Sequence, residues 1–307
     1  MGSMIGTVHP LLSFGKGLTT DKVFALHNPL SIVSGDNKVW QIIANADEAY
    51  ASARLYPSWK RTRDLRPNDF NGTKVSLRGL TFHNSALTLH YGATDYFTLW
   101  GLPAANKEVH EQSIQDLVNR LSTELPVGVA TDNILLLRPE GSEQLNVLMK
   151  VSSSGAGFAA GRAAMTIEEQ VELTDGHPFA TPVRAYKEEL GLEVKPEDVR
   201  LLGVCMQTVY AYAGLGFVTT TTTSEETLLE SWKGAKDYNE ATALFVVPVV
   251  RLGEWLQDGG VKPDVWEKYA SDTRVASGAA LQLHPTVLWR ATLLKEYLEA
   301  NSFPTWS

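Results

Sequence analysis

Apolar and polar positions alternate in short runs along the first third of this 307-residue chain, and turn residues separate the runs. Residues 75–80 and 86–91 both alternate with a period of two, which predicts β-strands. His83, Asn84 and Ser85 lie between them and form a turn signal, so the two segments are predicted to pair as a hairpin. Later runs predict further strands at residues 127–130, 134–137, 145–151, 199–213, 217–223 and 243–250.

Residues 108–125 space their apolar side chains at helical intervals, which predicts an amphipathic helix. The pattern changes after this helix, because short apolar strands with glycine-rich and acidic connections follow it. We therefore predict a division of the chain into an N-terminal α+β domain, residues 1–125, and a second domain, residues 126–307.

Residues 181–190 predict a short helix whose two ends can be read from the sequence. Thr181 is predicted to cap the first turn, and Pro182 suits a position just inside it. Gly191 can adopt the left-handed conformation that commonly ends a helix. Residues 278–298 predict a final helix.

Acidic residues outnumber basic ones, with 35 Asp and Glu against 27 Lys and Arg and a formal charge of −8. Such a surface repels phosphate polymers, so a nucleic-acid polymer is a disfavoured partner, whereas a local cation still admits a small phosphorylated ligand. The one cysteine, Cys205, cannot form an internal disulfide, which predicts a reducing, cytoplasmic compartment. No apolar run approaches 18 residues, so no membrane span is predicted.

The sequence RAYKEELGL, residues 184–192, carries the most informative chemistry. Arg184 and Glu188 are four apart and share one helix face, and Glu189 lies next to that face. Two carboxylates on one exposed helical surface suit a hard divalent cation such as Mg²⁺, which prefers oxygen ligands. Arg184 can hold these carboxylates or the preceding loop by charge-assisted hydrogen bonds. The alternative is that the acidic pair only forms the solvated side of a short helix.

This segment resembles the signature of the Nudix hydrolase superfamily, G-x5-E-x7-R-E-U-x-E-E-x-G-U, in which U is aliphatic. The matching positions are Arg184, Glu188, Glu189, Gly191 and Leu192. Upstream, a predicted turn at Thr131, Asp132 and Asn133 between two short strands looks like the family's opening hairpin. The resemblance extends over roughly residues 127–250 and implies an α/β fold, a Nudix-like α/β/α sandwich with a mixed sheet, behind the N-terminal α+β domain.

Two departures make the signature divergent. The glutamate that normally follows the arginine, a metal ligand in the family, is Ala185 here. The signature's earlier half is out of register, and its glutamate position falls on Gly176. Glu169 and Glu240 are the acidic residues that can compensate. The resemblance thus implies Arg184, Glu188 and Glu189 as catalytic residues, and a site for Mg²⁺ or Mn²⁺ with the ligands Glu188, Glu189, Glu169 and Glu240.

The function implied first is metal-dependent hydrolysis of a small diphosphate-containing metabolite, either a nucleoside diphosphate derivative such as a nucleotide sugar or a prenyl diphosphate. Ala185 motivates a second hypothesis, in which a non-hydrolytic Nudix-like protein binds, senses or otherwise transforms a diphosphate-bearing ligand. A third hypothesis is an interaction scaffold with a vestigial pocket. The expected partner is a small molecule rather than a nucleic acid or a membrane, and a homodimer is compatible with the sequence.

Overall fold

The computed structural model describes residues 8–27, 64, 72–96, 99, 127–153, 161–207, 212–256, 260–273, 278 and 280–306. The strands within these ranges are β1 (Val8–Leu18), β2 (Val23–His27), β3 (Thr73–His83), β4 (Ala86–Asp95), β5 (Val127–Leu137), β6 (Asn146–Ser152), β7 (Ala163–Ala164), β8 (Ile167–Gln170), β9 (Val199–Gln207), β10 (Tyr212–Thr221), β11 (Ala241–Pro248), β12 (Gly260–Val261), β13 (Ala270–Thr273) and β14 (Leu281–Gln282). The α-helices are α1 (Ala180–Leu190), α2 (Glu225–Lys233), α3 (Leu252–Trp255), α4 (Pro263–Trp266) and α5 (Val287–Ala300). None of these helices is both long enough and apolar enough to cross a membrane.

Most of the strands form one mixed sheet centred on β5. The main order is β1-β9-β10-β5-β3-β4-β2, and β6 and β8 branch from β5. Strand β5 runs parallel to β10 and antiparallel to β3, β6 and β8. This long central strand therefore connects the N-terminal hairpin to the strands that flank α1.

Helices cover both faces of the sheet, and the alternation of side chains along β5 explains why. Ile134 and Leu136 belong to a core that includes Trp289 of α5. Leu135 and Leu137 belong to a second core, which contains α1 and α2 residues. Because successive side chains of a strand point to opposite faces, one apolar strand can bury helices on both sides. The predicted α/β/α sandwich with a mixed sheet is confirmed.

Strands from the first 125 residues join this same sheet. Strand β1 pairs antiparallel with β9, and β3 pairs with β5 through Ser76–Gly128 and Leu77–Val127. The predicted helix at 108–125 and the boundary at 125/126 lie outside the described residues. The division into two domains therefore stays a prediction.

The predicted hairpin of β3 and β4 is confirmed, and it turns through Asn84 and Ser85 with φ values of 49° and 59°. The predicted turn at residues 131–133 is wrong, and so is the opening hairpin inferred from it. Strand β5 is continuous there, and Thr131, Asp132 and Asn133 are buried. Tertiary partners outweigh the turn preference of these residues, because an arginine binds Asp132 and the Asn133 amide donates to Thr131.

The helix predicted at 181–190 is present as α1, with one difference at its start. Its N-terminal cap residue is Phe179, and the Thr181 hydroxyl donates to Asp175 instead of capping the helix. Gly191 ends α1 in the left-handed conformation, with φ 65°, as predicted. The last helix begins at Val287 rather than at residue 278.

Candidate functional site

Arg184 is the centre of an ion-pair network between α1, β8 and the turn that connects them. Its Nε and Nη2 atoms donate to the two carboxylate oxygens of Asp175 at 3.0 and 3.1 Å, and Nη2 also donates to the Gln170 carbonyl at 3.0 Å. Its Nη1 lies 3.4 Å from Glu188 Oε2 and 3.5 Å from Glu169 Oε1. A guanidinium suits this role because its planar fork can bind several acceptors at once.

Asp175 fixes the turn in front of α1. It ends the short 3-10 helix Leu173–Asp175, and its Oδ2 accepts the Glu172 backbone N–H at 2.9 Å and the Thr181 hydroxyl at 2.7 Å. Together with the Arg184 fork, these bonds hold the turn against the helix. The resemblance to the signature is out of register in this loop, and Asp175 is the residue that organises it.

Glu188 shares a helix face with Arg184, as predicted, and its side chain is 26% exposed. Lys236 also holds it, with Nζ 2.8 Å from Oε1. Partial burial works to raise the pKa of Glu188, but the hydrogen bond and charge of Lys236, together with Arg184, lower it below the usual value. Glu188 is therefore an ionised carboxylate at the edge of the network.

Glu189 differs from the expectation of an exposed pair, because its side chain is only 4% exposed. Its Oε2 accepts a hydrogen bond from Lys150 Nζ of β6, and its Oε1 has no hydrogen-bond partner among the described residues. Burial raises the pKa of Glu189, Lys150 lowers it, and the charges of Glu240 and Glu169 raise it, so that the net value is about 7. The Lys150 ammonium thus offsets only part of the cost of burying a charged Glu189 carboxylate.

Glu169 and Glu240 lie in the same region as Glu189. Glu169 of β8 accepts the Gln170 backbone N–H at 2.9 Å, and burial raises the pKa of its carboxyl group. Glu240 is exposed at the end of the 3-10 helix Tyr238–Glu240, and its charge raises the pKa of both Glu169 and Glu189. The fold therefore brings the four predicted ligands into one electrostatically coupled group.

We call the whole network the Arg184 cluster and define it by the ion pairs and charge interactions that join its members. Its acidic members are Glu169, Glu172, Asp175, Glu188, Glu189, Asp237 and Glu240, and its basic members are Lys74, Lys150, Arg184 and Lys236. Seven carboxylates thus face four basic side chains. A cluster with this excess of negative charge attracts cations and repels anions.

The positions of the acidic side chains decide whether the Arg184 cluster can hold a metal ion. As they lie, no group of three or more His, Cys, Asp or Glu side chains in the described ranges could hold a metal ion. Ala185 is fully buried in the core beneath α1, so no carboxylate is available at that position of the helix. The donor chemistry does suit Mg²⁺ or Mn²⁺, because the carboxylates are in excess and Glu189 Oε1 is buried without a partner.

A second charged network lies on the opposite face of β8, and the sequence analysis did not find it. Arg290 of α5 is completely buried, and it donates from Nε to Asp132 Oδ1 at 2.9 Å and from Nη1 to the Met165 carbonyl at 2.8 Å. It also pairs with Glu168, which lies 2.8 Å from His284 Nδ1. We call this group the Arg290 cluster. The available signal was a single charged residue, Arg290, in the otherwise uncharged first half of α5, residues 287–294.

Comparisons with known proteins give likeness at the level of fold. No family model matches the chain, and no curated protein sequence matches it. A MutT/nudix family protein from Enterococcus faecalis has a similar solved structure, with 16% identity, a TM-score of 0.36, and coverage of 63% of this chain and 76% of that one. DR0079 from Deinococcus radiodurans is 11% identical with a TM-score of 0.32, and the match covers 55% of this chain and 83% of that one. The chain in the T. brucei MERS1–RNA complex is 16% identical with a TM-score of 0.34, and the match covers 64% of this chain and 60% of that one.

These likenesses are too distant to assign an activity to this chain. The class of the protein follows from its own architecture, an α/β/α sandwich in which α1 places a divergent RAYKEELGL segment against β8 and β6. The candidate site is the Arg184 cluster on that side of the sheet.

Proposed function

We propose that the protein binds Mg²⁺ or Mn²⁺ at the Arg184 cluster and hydrolyses a small diphosphate-containing metabolite there. The observation that carries this proposal is Glu189 Oε1, a buried oxygen without a hydrogen-bond partner among the described residues, on a carboxyl group that interacts electrostatically with Glu240 and Glu169. Hard oxygen donors with uncompensated negative charge are the ligands that these cations prefer.

The charge of the cluster explains why the cation and the substrate have to bind together. A diphosphate is an anion, and the acidic members of the cluster repel it. A bound divalent cation neutralises phosphate oxygens and makes a bound water easier to deprotonate. Glu188, Glu189, Glu169 and Glu240 would hold the cation, and Arg184 would fix α1 against the Asp175 turn.

The substrate class follows from this chemistry only as far as the linked phosphates. Nucleoside diphosphate derivatives such as nucleotide sugars are the first candidates, and prenyl diphosphates are the second. Both are small molecules that need a cation to approach an acidic site. The proposal requires neither a nucleic-acid polymer nor a membrane.

The test is turnover of a diphosphate panel by the full-length chain, with Mg²⁺ or Mn²⁺, measured as released phosphate or monophosphate. We expect Glu188→Gln and Glu189→Gln to lower turnover by about tenfold or more, because each removes a negative oxygen from the cation site. Glu193→Gln is the matched control, because Glu193 is exposed and pairs with Lys187 outside the cluster. The proposal is wrong if no product exceeds background, or if both glutamate variants keep full turnover.

Ala185 supports a second candidate, a protein that binds the same ligand without hydrolysing it. A buried alanine at a position that holds a metal ligand in the resembling family lowers the number of carboxylates available to the cation. Titration calorimetry with a diphosphate and Mg²⁺ separates the two candidates, since tight binding without product favours the second. An interaction scaffold predicts that no ligand raises the unfolding temperature.

A further inference from the structure

Lys150 is the one cluster member that lies within an apolar strand and pairs with a predicted metal ligand. It occupies β6 between the buried residues Met149 and Val151, and its side chain is 8% exposed. A charged ammonium in such a place is strongly unfavourable unless a partner compensates it. Glu189 is that partner, so the two charges hold each other inside the protein.

The pairing leaves half of the Glu189 carboxylate unused. Lys150 Nζ bonds Oε2, whereas Oε1 stays buried without a hydrogen-bond partner in the described part of the chain. An ammonium is a single point charge, and it contacts only one of the two oxygens. The structure thus has one cation on Oε2 of Glu189, and no hydrogen-bond donor reaches Oε1 from the described residues.

We propose that Lys150 is the resident counter-cation of this site, and that a divalent cation has to displace its ammonium from Glu189 in order to bind. This inference rests on the proposed function, because it concerns the same cation position. A divalent cation at Glu189 would lie beside the Lys150 ammonium, and like charges at that separation repel strongly in a poorly solvated site. Lys150 therefore weakens the binding of the cation and stabilises the cation-free protein.

The flexible stem of lysine makes this exchange feasible. Four methylene groups carry the ammonium, so it can leave Glu189 without movement of the β6 backbone. The Arg184 guanidinium cannot leave in the same way, because Asp175 and the Gln170 carbonyl hold it from several directions. Lys150 is accordingly a positioning residue that acts through Glu189.

The test measures Mn²⁺ binding by titration calorimetry in the wild type and in Lys150→Met. We expect the variant to bind Mn²⁺ about tenfold more tightly or better, since the competing charge is gone. Its unfolding temperature without Mn²⁺ should fall, because Glu189 loses its buried partner, and Mn²⁺ should raise that temperature more than in the wild type. Lys150→Gln keeps a donor for Glu189 and serves the same purpose if Lys150→Met does not fold.

Lys187→Met is the matched control. Lys187 pairs with Glu193 outside the cluster, and its side chain is 64% exposed. Solvent screens such a charge, so Mn²⁺ affinity should change by less than about threefold. Adding Glu189→Gln to Lys150→Met should remove the gain in affinity.

The outcomes separate this inference from the proposed function. If the wild type binds Mn²⁺ and the Lys150 variants bind it no more tightly, the role of Lys150 is overturned and the cation site stands. If only the Lys150 variants bind Mn²⁺, Lys150 is confirmed as the counter-cation and the proposed metal-dependent function of the wild type fails. If no variant binds Mn²⁺, both proposals fail.

Discussion

Strand β8 carries two neighbouring glutamates that serve opposite faces of the sheet, and each meets an arginine. Glu169 faces Arg184 of α1, whereas Glu168 faces Arg290 of α5. The Arg184 side chain is 24% exposed and the Arg290 side chain is completely buried. Two similar ion-pair networks therefore lie back to back in different surroundings.

A second contrast concerns the surroundings of two buried oxygens, one in each cluster, that lack a hydrogen-bond partner among the described residues. Asp132 Oδ2, like Glu189 Oε1, is buried without a hydrogen-bond partner in the described ranges. It lies against a packed wall, because a Cβ atom built on Gly214 would come within 2.6 Å of it and within 2.7 Å of Cys205 Sγ. Glu189 Oε1 instead belongs to a group of mutually repelling carboxylates.

The comparison shows that two ion-pair networks of similar composition can differ in charge balance and in exposure to solvent. The Arg290 cluster fastens α5 to β5 through Asp132 and fills its surroundings. The Arg184 cluster has three more carboxylates than basic groups and reaches solvent. We therefore expect the first to serve structural support, and the function proposed above concerns the second.

Removal of the two arginines should give the largest difference between the clusters. Arg290→Met leaves Asp132 as a buried, unpaired charge, so we expect the free energy of unfolding to fall by about 3–5 kcal/mol. Arg184→Met leaves Glu169 and Glu188 partly exposed to water, and Asp175 keeps its hydrogen bonds from the Glu172 backbone N–H and the Thr181 hydroxyl. We therefore expect a loss of about 1–2 kcal/mol. Urea denaturation of both variants measures these values.

Arg290→Lys provides a second measurement if Arg290→Met does not fold. It keeps the charge near Asp132 but loses the planar fork that also reaches the Met165 carbonyl, so its loss should be intermediate. Equal losses for the Arg290 and Arg184 methionine variants would contradict the division between a closed and an open cluster.

Gly214→Ala should show how tightly the Arg290 cluster is packed. The new Cβ atom would clash with Asp132 Oδ2 and Cys205 Sγ, and overpacking of this kind costs about 1–3 kcal/mol. Gly79→Ala is the matched control in another strand, because its Cβ atom would meet its nearest neighbour, His90 Cδ2, at 3.8 Å. Thermal unfolding of both variants tests the difference. A Gly214→Ala protein as stable as the Gly79→Ala protein would mean that the wall around Asp132 is loose.

The elements that were predicted correctly are those with a signal in the local sequence. Gly191 ends α1 as expected because a left-handed residue is a backbone requirement that few residue types meet. The β3–β4 hairpin follows in the same way from the turn residues Asn84 and Ser85. Alternation within single segments also indicated individual strands, because strand periodicity needs no knowledge of distant partners. The mixed sheet was implied by the family resemblance instead.

The errors concern residues whose partners are distant in sequence. Asp132 suggests a turn by its residue type, but Arg290, 158 residues away, makes it a buried strand residue. Glu189 suggests an exposed face, but Lys150, 39 residues away, makes it a buried pair. In each case the readable signal was a single charge within an apolar segment, such as Lys150 in residues 145–151. That signal shows that a partner exists without identifying it.

The smallest effect that we predict is a pH dependence that arises from His284 in the Arg290 cluster. Burial lowers the pKa of His284 to about 4, against an ordinary value of 6.5 in the unfolded chain. The unfolded chain thus binds a proton more readily, so this contribution to stability is complete above pH 6.5 and is lost as the pH falls toward 4. Between pH 7 and pH 5.5, the wild type should lose about 1 kcal/mol more than His284→Gln. The measurement is urea denaturation of both proteins across that range, and the difference between them removes the contribution of other titrating groups. Parallel curves would show that His284 is protonated as easily in the folded protein as in the unfolded chain, and would contradict the lowered pKa.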